Sequence, residues 1–347
     1  MKFLQTIIPL LCLTALPALA TENYYQPRQY GSDSLYSPLG NFLSYTFDTL
    51  QLPDNFDRND FGSRARQVFD HLGNPGRAIR NEGGYRRFIN RQIIPIYPEY
   101  HNESWAALPN YFLHLLGGGM VYRKDLEWFR ENGYPYASAS AATLAMTAEL
   151  LQEILEKKST TDDDEVADVY IFRPIGILLF HNDSFAKFFM NHFDPAIWPS
   201  LQAINLSDGN MTNTGIHYIY RPPITRFGRS RLFIYTGINN LLGLSHHLGS
   251  GHSLSWGVGK SVQKVDLSRK RLAILDTSFG LFYDRNKSLL ASLVIHDSGG
   301  QRFRINWYPF NTSLPGKFGY FLTQNAQHEF TAGMVYQLPL GIGFSFR

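Results

Sequence analysis

Three groups of side chains in this 347-residue chain have the types and spacing that chemistry needs. The sharpest is Ile295-His296-Asp297-Ser298-Gly299-Gly300. On a strand, residues two apart point to the same face, so His296 and Ser298 can meet as general base and nucleophile. The same run is also good turn chemistry, because Asp-Ser-Gly-Gly between two strands favours a hairpin connection. The second group is Glu149, Glu153 and Glu156, at i, i+4 and i+7, one stripe of a helix whose other sides carry Leu150, Leu151, Ile154 and Leu155. Such a stripe is ordinarily solvated. Set in a polar crevice instead, it would meet His114 from a preceding helix, or Asp168 and Arg173 from a following one, where paired carboxylates could bind a cation as ligand or act as acid and base. The stripe's spacing is compatible with both placements. The third group is His246, His247 and His252. Adjacent histidines point opposite ways on a strand and no acidic ligand lies nearby, so a polar loop fits better than a metal site. The chain calls for no metal and no cofactor.

The elements that must carry these residues differ along the chain. From Thr21 to about Tyr100 the sequence is polar, with one expected helix at Ser63 to His71 and scattered arginines (Arg77, Arg80, Arg86, Arg87 and Arg91), and reads as a partly ordered arm with a solvated surface. From Pro109 the apolar positions recur three and four apart up to Asn132-Gly133, a good helix stop. Gly117-Gly118-Gly119 inside that segment disfavours an isolated helix, so something packs closely there or the helix breaks. A second helix is expected from about Ser138 to Lys158, and a third follows the acidic turn at Asp162 to Glu165, giving a helical hairpin. Beyond Met211 the texture becomes period-two runs separated by Gly, Pro, Asn and Ser. Nine stretches qualify as strands: Thr214 to Arg221, Arg231 to Asn239, Ser253 to Val262, Arg271 to Tyr283, Leu289 to His296, Arg302 to Tyr308, Lys317 to Thr323, Glu329 to Gln337 and Gly341 to Phe346. Short connections favour an antiparallel meander.

Composition bounds the setting. Hydrophobic residues make up 44% of positions and aromatics 15%, with charged residues at only 18%, a balance typical of β-rich or membrane-facing proteins. The net charge of +3 and the absence of a basic block exclude a nucleic-acid footprint. Residues 1 to 20 combine Lys2, an apolar run from Phe3 to Leu16 and Ala18-Leu19-Ala20, the pattern of a cleaved secretory signal. Cys12 is the only cysteine and lies within that run, so cleavage would leave a mature chain without thiol chemistry or disulfides. No later stretch offers 18 consecutive apolar residues, so a membrane form would have to span with strands.

Two resemblances add to this reading. Pro135-Tyr136, the helix through Glu149 and Glu153, and then Asp168, Pro174 and Gly176 resemble a family of uncharacterised bacterial cell-envelope proteins in which such a hairpin precedes a β-rich half. The likeness covers about residues 105 to 200 and implies architecture and location, with no assigned reaction. His296 and Ser298 resemble the His-x-Ser dyad of outer-membrane phospholipase A, where the histidine activates the serine on the lipid-facing wall and a downstream asparagine orients it. Asn306 would fill that third role, although Gly299 stands where that family has Asn. The closing GIGFSFR alternates Ile342, Phe344 and Phe346, as in terminal strands of outer-membrane barrels, but ends on Arg347.

The expectation is therefore an α+β chain: signal peptide 1–20, polar arm 21–100, helical domain 101–205 and an antiparallel β-barrel of about eight strands, or a sheet domain, over 206–347. The expected function is that of an exported Gram-negative envelope protein in the outer membrane or periplasm, structural or binding lipid or a small ligand. The alternative is an outer-membrane acyl hydrolase. Outer-membrane lipid is the expected partner.

Overall fold

Two of the principal helices begin at a capping side chain. Ser37 accepts the amide of Gly40 at 3.1 Å just ahead of Pro38, and Asn182 accepts that of Phe185 at 3.0 Å. The structure is a computed structural model and describes residues 23–47, 60–103, 107–156, 163–206, 211–212, 214–266, 272–297, 301–309, 317–336 and 343–346. Its first half is helical and its second half is one sheet. The principal helices are α1 (Pro38–Thr46), α2 (Phe61–Gly73), α3 (Gly118–Glu131), α4 (Ala137–Glu156), α5 (Arg173–His181) and α6 (Asp183–Phe193), joined by shorter helical turns. None of the described helices is long and apolar enough to cross a membrane. The expected signal segment and Cys12 lie outside the described residues.

The stretch expected as a polar arm is folded into the helical half: α1 and α2 both pack on α4, and His71 meets Glu165 at 2.6 Å. The glycine triplet marks the close approach its sequence implied. A Cβ on Gly118 would overlap the Arg173 guanidinium and one on Gly119 the ring of Phe180, so α5 can cross α3 only where side chains are missing. Met120, Leu126, Phe180 and Phe189 fill the core beneath, together with Tyr218 and Tyr220 from the first strand of the meander.

The strands are β1 (Ala196–Pro199), β2 (Ala203–Asn205), β3 (Met211–Thr212), β4 (Ile216–Tyr220), β5 (Ser230–Thr236), β6 (Asn239–Gly249), β7 (His252–Asp266), β8 (Leu272–Arg285), β9 (Ser288–His296), β10 (Gln301–Trp307), β11 (Phe318–Asn325), β12 (Phe330–Tyr336) and β13 (Gly343–Phe346). From β4 to β13 each strand pairs antiparallel with the next, a ten-stranded meander in place of the eight or so expected. Strand β6 accounts for the main miss. Its Leu241-Leu242 pair breaks the period-two signal, and the adjacent His246 and His247 fit a polar loop as well as a strand. The sheet is curled into a half-barrel and does not close as expected. Its edge strands β4 and β13 do not pair with each other; β1 lies antiparallel along β4, and β2 lies parallel along β13.

The two faces of the sheet are inverted relative to an ordinary soluble barrel. The inner face combines an apolar cluster, which includes Trp198, Phe233, Tyr235, Leu241, Phe282, Val294, Phe321 and Val335, with a run of hydrogen-bonded polar side chains. Ser255 reaches Ser245 at 2.8 Å, Ser261 reaches both Asn239 and Ser278 at 2.5 Å, and Asn306 reaches Ser292 at 3.0 Å. The outer face carries apolar rows that run from strand to strand in register: Leu244, Trp256, Leu281, Leu293, Ile305 and Leu322 in one, Leu242, Val258, Phe279, Ile295 and Phe303 in the next. Val258 is 51% exposed, Trp256 41% and Ile295 43%. Contiguous apolar surface on this scale is rare on water-facing proteins.

Candidate functional site

The helical half buries a compact set of ionisable side chains. His114 projects from a π-helical segment, Asn110–Gly117, that leads into α3, and Asp168 opens a second one, Asp168–Phe172, that leads into α5. Such widened turns shift side chains off the regular helical spacing and recur at functional sites. Glu149 and Glu153 come from one face of α4, Arg173 from the first turn of α5 and Tyr45 from the end of α1. Glu149 is fully buried and sits at the hub. One of its oxygens accepts a hydrogen bond from His114 Nδ1 at 2.5 Å; the other accepts from the Tyr45 hydroxyl at 2.6 Å and from Arg173 Nε at 2.6 Å. The Arg173 guanidinium also lies over the Tyr45 ring, 4.5 Å from its centroid. On the far side of the imidazole, His114 Nε2 is 3.9 Å from Asp168 Oδ2.

Burial and charge shift the proton affinities in opposite directions. Burial opposes a charged Glu149, but the Arg173 and His114 charges outweigh it and hold the carboxyl well below the usual range. Burial works against a protonated His114 as well, yet Asp168 and Glu149 push its pKa up to about 10. Asp168 and Glu153 go the other way. Burial, reinforced by neighbouring carboxylates, raises both well above ordinary values, with the His114 charge opposing the shift at Asp168. The centre thus holds Glu149 as a carboxylate locked between two cations, with Asp168 sharing a proton equilibrium with His114 and Glu153 raised by burial. Asp168 Oδ1 and Arg173 Nη1 are buried without a hydrogen-bond partner. His114, with 13% of its side chain exposed, is more open than the buried Glu149, Asp168 and Arg173. The arrangement can hold and exchange a proton between His114 and the acids around it.

His114, Glu149 and Asp168 also offer ligand atoms within 4.8 Å of one another, a donor set with the chemistry of a divalent-cation site. Against that use, Arg173 already neutralises Glu149 and His114 favours its cationic form, which must lose a proton before it can ligate.

All five residues proposed from the sequence for a crevice, His114, Glu149, Glu153, Asp168 and Arg173, are therefore neighbours here, and the ordinary solvated reading of the stripe holds only for Glu156, which is exposed and accepts from Gln152 at 3.0 Å. Sequence reasoning did not find Tyr45. Its segment lies about a hundred residues upstream, and no local pattern ties it to α4. The glycine triplet was the one available signal for Arg173, since Gly118 leaves the space its guanidinium fills.

The other candidates fall elsewhere. His296 is buried on the inner face of β9, with its Nδ1 2.9 Å from the Ser278 hydroxyl of β8. Ser298 lies outside the described residues. Asn306 pairs across the sheet with Ser292, four residues from His296, and accepts from Arg304 Nε at 3.0 Å. The three histidines of the third group have separate settings: His246 meets Ser230 at 2.9 Å, His252 meets the Tyr283 hydroxyl at 2.8 Å, and His247 is exposed on β6. No family model, curated protein or solved structure matches the chain.

Proposed function

We propose that this chain is an exported Gram-negative envelope protein whose curled sheet sets its outer face in the outer-membrane lipid, with the helical half held beside the bilayer and serving a structural or lipid- or small-ligand-binding role. The observation that carries this reading is the inversion of the sheet. Its polar side chains, hydrogen-bonded among themselves, face inward, and its Leu, Ile, Val, Phe and Trp rows face outward. In water that distribution forfeits the stabilisation of burying apolar surface, roughly 25 cal/mol per Å². In lipid it is the expected one. The buried centre around Glu149 is the place in the helical half suited to an acid–base or ligand-binding role. The acyl-hydrolase alternative gains no support from His296, which faces inward onto Ser278 instead of outward to lipid.

The test is cell fractionation followed by electrophoresis with and without boiling. The expected result is recovery with the outer membrane and migration that changes on heating. Recovery of a mature, soluble periplasmic species would overturn the reading.

A further inference from the structure

A second polar site lies well apart from the Glu149 centre, at the end of the half-barrel where the hairpins β6–β7 and β8–β9 turn beneath the end of α6. A cavity of about 400 Å³ opens there, within the size range of small-molecule sites. Four cations line it, Arg221, Arg229, Arg231 and Lys287, against two carboxylates, Asp194 and Asp284.

Those carboxylates are already committed. Asp284 binds Arg221 at 2.8 Å. Asp194 is the meeting point of three cations, with Lys287 at 2.7 Å, Arg231 at 2.8 Å and Arg221 at 3.9 Å. It stands just past α6 in the left-handed region, at φ 44°, a conformation that costs energy for a residue with a side chain and that these three contacts support. Asp194 thus shows that the cations converge on a point an oxyanion can occupy. The positive charge is not cancelled there. Arg229 is exposed and forms no ion pair among the described residues, and the side chains of Arg231 and Lys287 keep 34% and 22% of their surface in solvent.

We infer that this cleft is a binding site for a phosphate group, taken as a phosphate monoester or a phospholipid headgroup, with Arg229, Arg231 and Lys287 as its donors. A guanidinium offers paired N–H groups in the geometry a phosphate accepts, and an ammonium adds a compact charge beside it. A phosphate supplies the negative charge that two carboxylates leave unmatched among four cations.

The experiment is isothermal titration of the full-length, detergent-purified protein with inorganic phosphate and, separately, with dihexanoyl phosphatidic acid. Saturable binding is expected, and Arg229→Glu should weaken it by at least about tenfold, the usual effect of losing a charged hydrogen bond. Arg66→Glu, an equal charge change at an exposed position of α2, should leave it unchanged. Because Arg229 is exposed and unpaired, its variant should melt with the parent. Binding of both probes identifies a lipid headgroup as the source, and binding of phosphate alone identifies a soluble phosphate ester. Absence of saturable binding, or equal weakening by the two variants, would overturn the inference. The titration is made in detergent, so its outcome does not depend on whether the sheet sits in a bilayer.

Discussion

The helical half and the sheet solve the problem of polar side chains in opposite ways. Around α3, α4 and α5 the core is apolar, and one tight polar cluster sits inside it, with Glu149 bonded on both oxygens. In the sheet polar groups form ladders along part of the inner face, beside the Phe233 and Phe282 cluster, while rows of large apolar side chains also point out. The proposed lipid contact would cover those outer rows. A buried charge cluster is tolerated only if each charge keeps its partner. The difference teaches that the two halves place their polar groups by different means, so they should respond to different perturbations.

The strongest way to break that comparison is at the hub. Glu149→Gln leaves Arg173 buried and without its carboxylate, which is expected to cost ~3 to 5 kcal/mol in thermal unfolding followed by helical circular dichroism. Glu153→Gln, four residues along the same face, replaces a carboxyl that burial already keeps in its acid form, and its cost should stay within about 0.5 kcal/mol. If the two variants melt alike, the Glu149 network is not what holds the helical half.

The outer face gives the next effect. Val258→Arg places a cation in the middle of the apolar rows, a change expected to cost ~2 to 4 kcal/mol when the sheet is in lipid and near zero when that face meets water. Unfolding the parent and the variant in vesicles separates these outcomes. Equal stability of the two would leave the inverted face without lipid contact.

Changing the pH should act on the helical half with a definite sign. His114 is raised to about 10 from an ordinary 6.5, so the folded state holds a proton that the unfolded chain releases. Its contribution is fully present below about pH 6.5 and is lost as the pH rises toward 10. Asp168 and Glu153, also raised, act with the same sign, whereas Glu149, which is lowered, contributes above its ordinary 4.5 and loses that contribution only in acid. Helical stability should therefore fall by roughly 3 kcal/mol between pH 7 and pH 10, and the fall should be shallower in His114→Gln. A flat profile in the parent would show that His114 is not held in its cationic form.

The amino-acid sequence determined the class of the protein by itself. Helical spacing followed by period-two runs gives α+β, because both periods are properties of a single segment's backbone. Spacing likewise placed Glu149 and Glu153 on one face of α4, and the glycine triplet announced a close crossing. What one segment does not encode is what lies opposite it. Only tertiary structure decided that the stripe faces His114 and Arg173 rather than water, that Tyr45 joins from a remote helix, and that His296 meets Ser278 on the neighbouring strand. The same holds for the sheet. Alternation separates two faces of each strand, but which face turns inward, and whether the edges β4 and β13 meet, depends on the curl of all ten strands together and on the segment of β1 and β2 that lies along both edges.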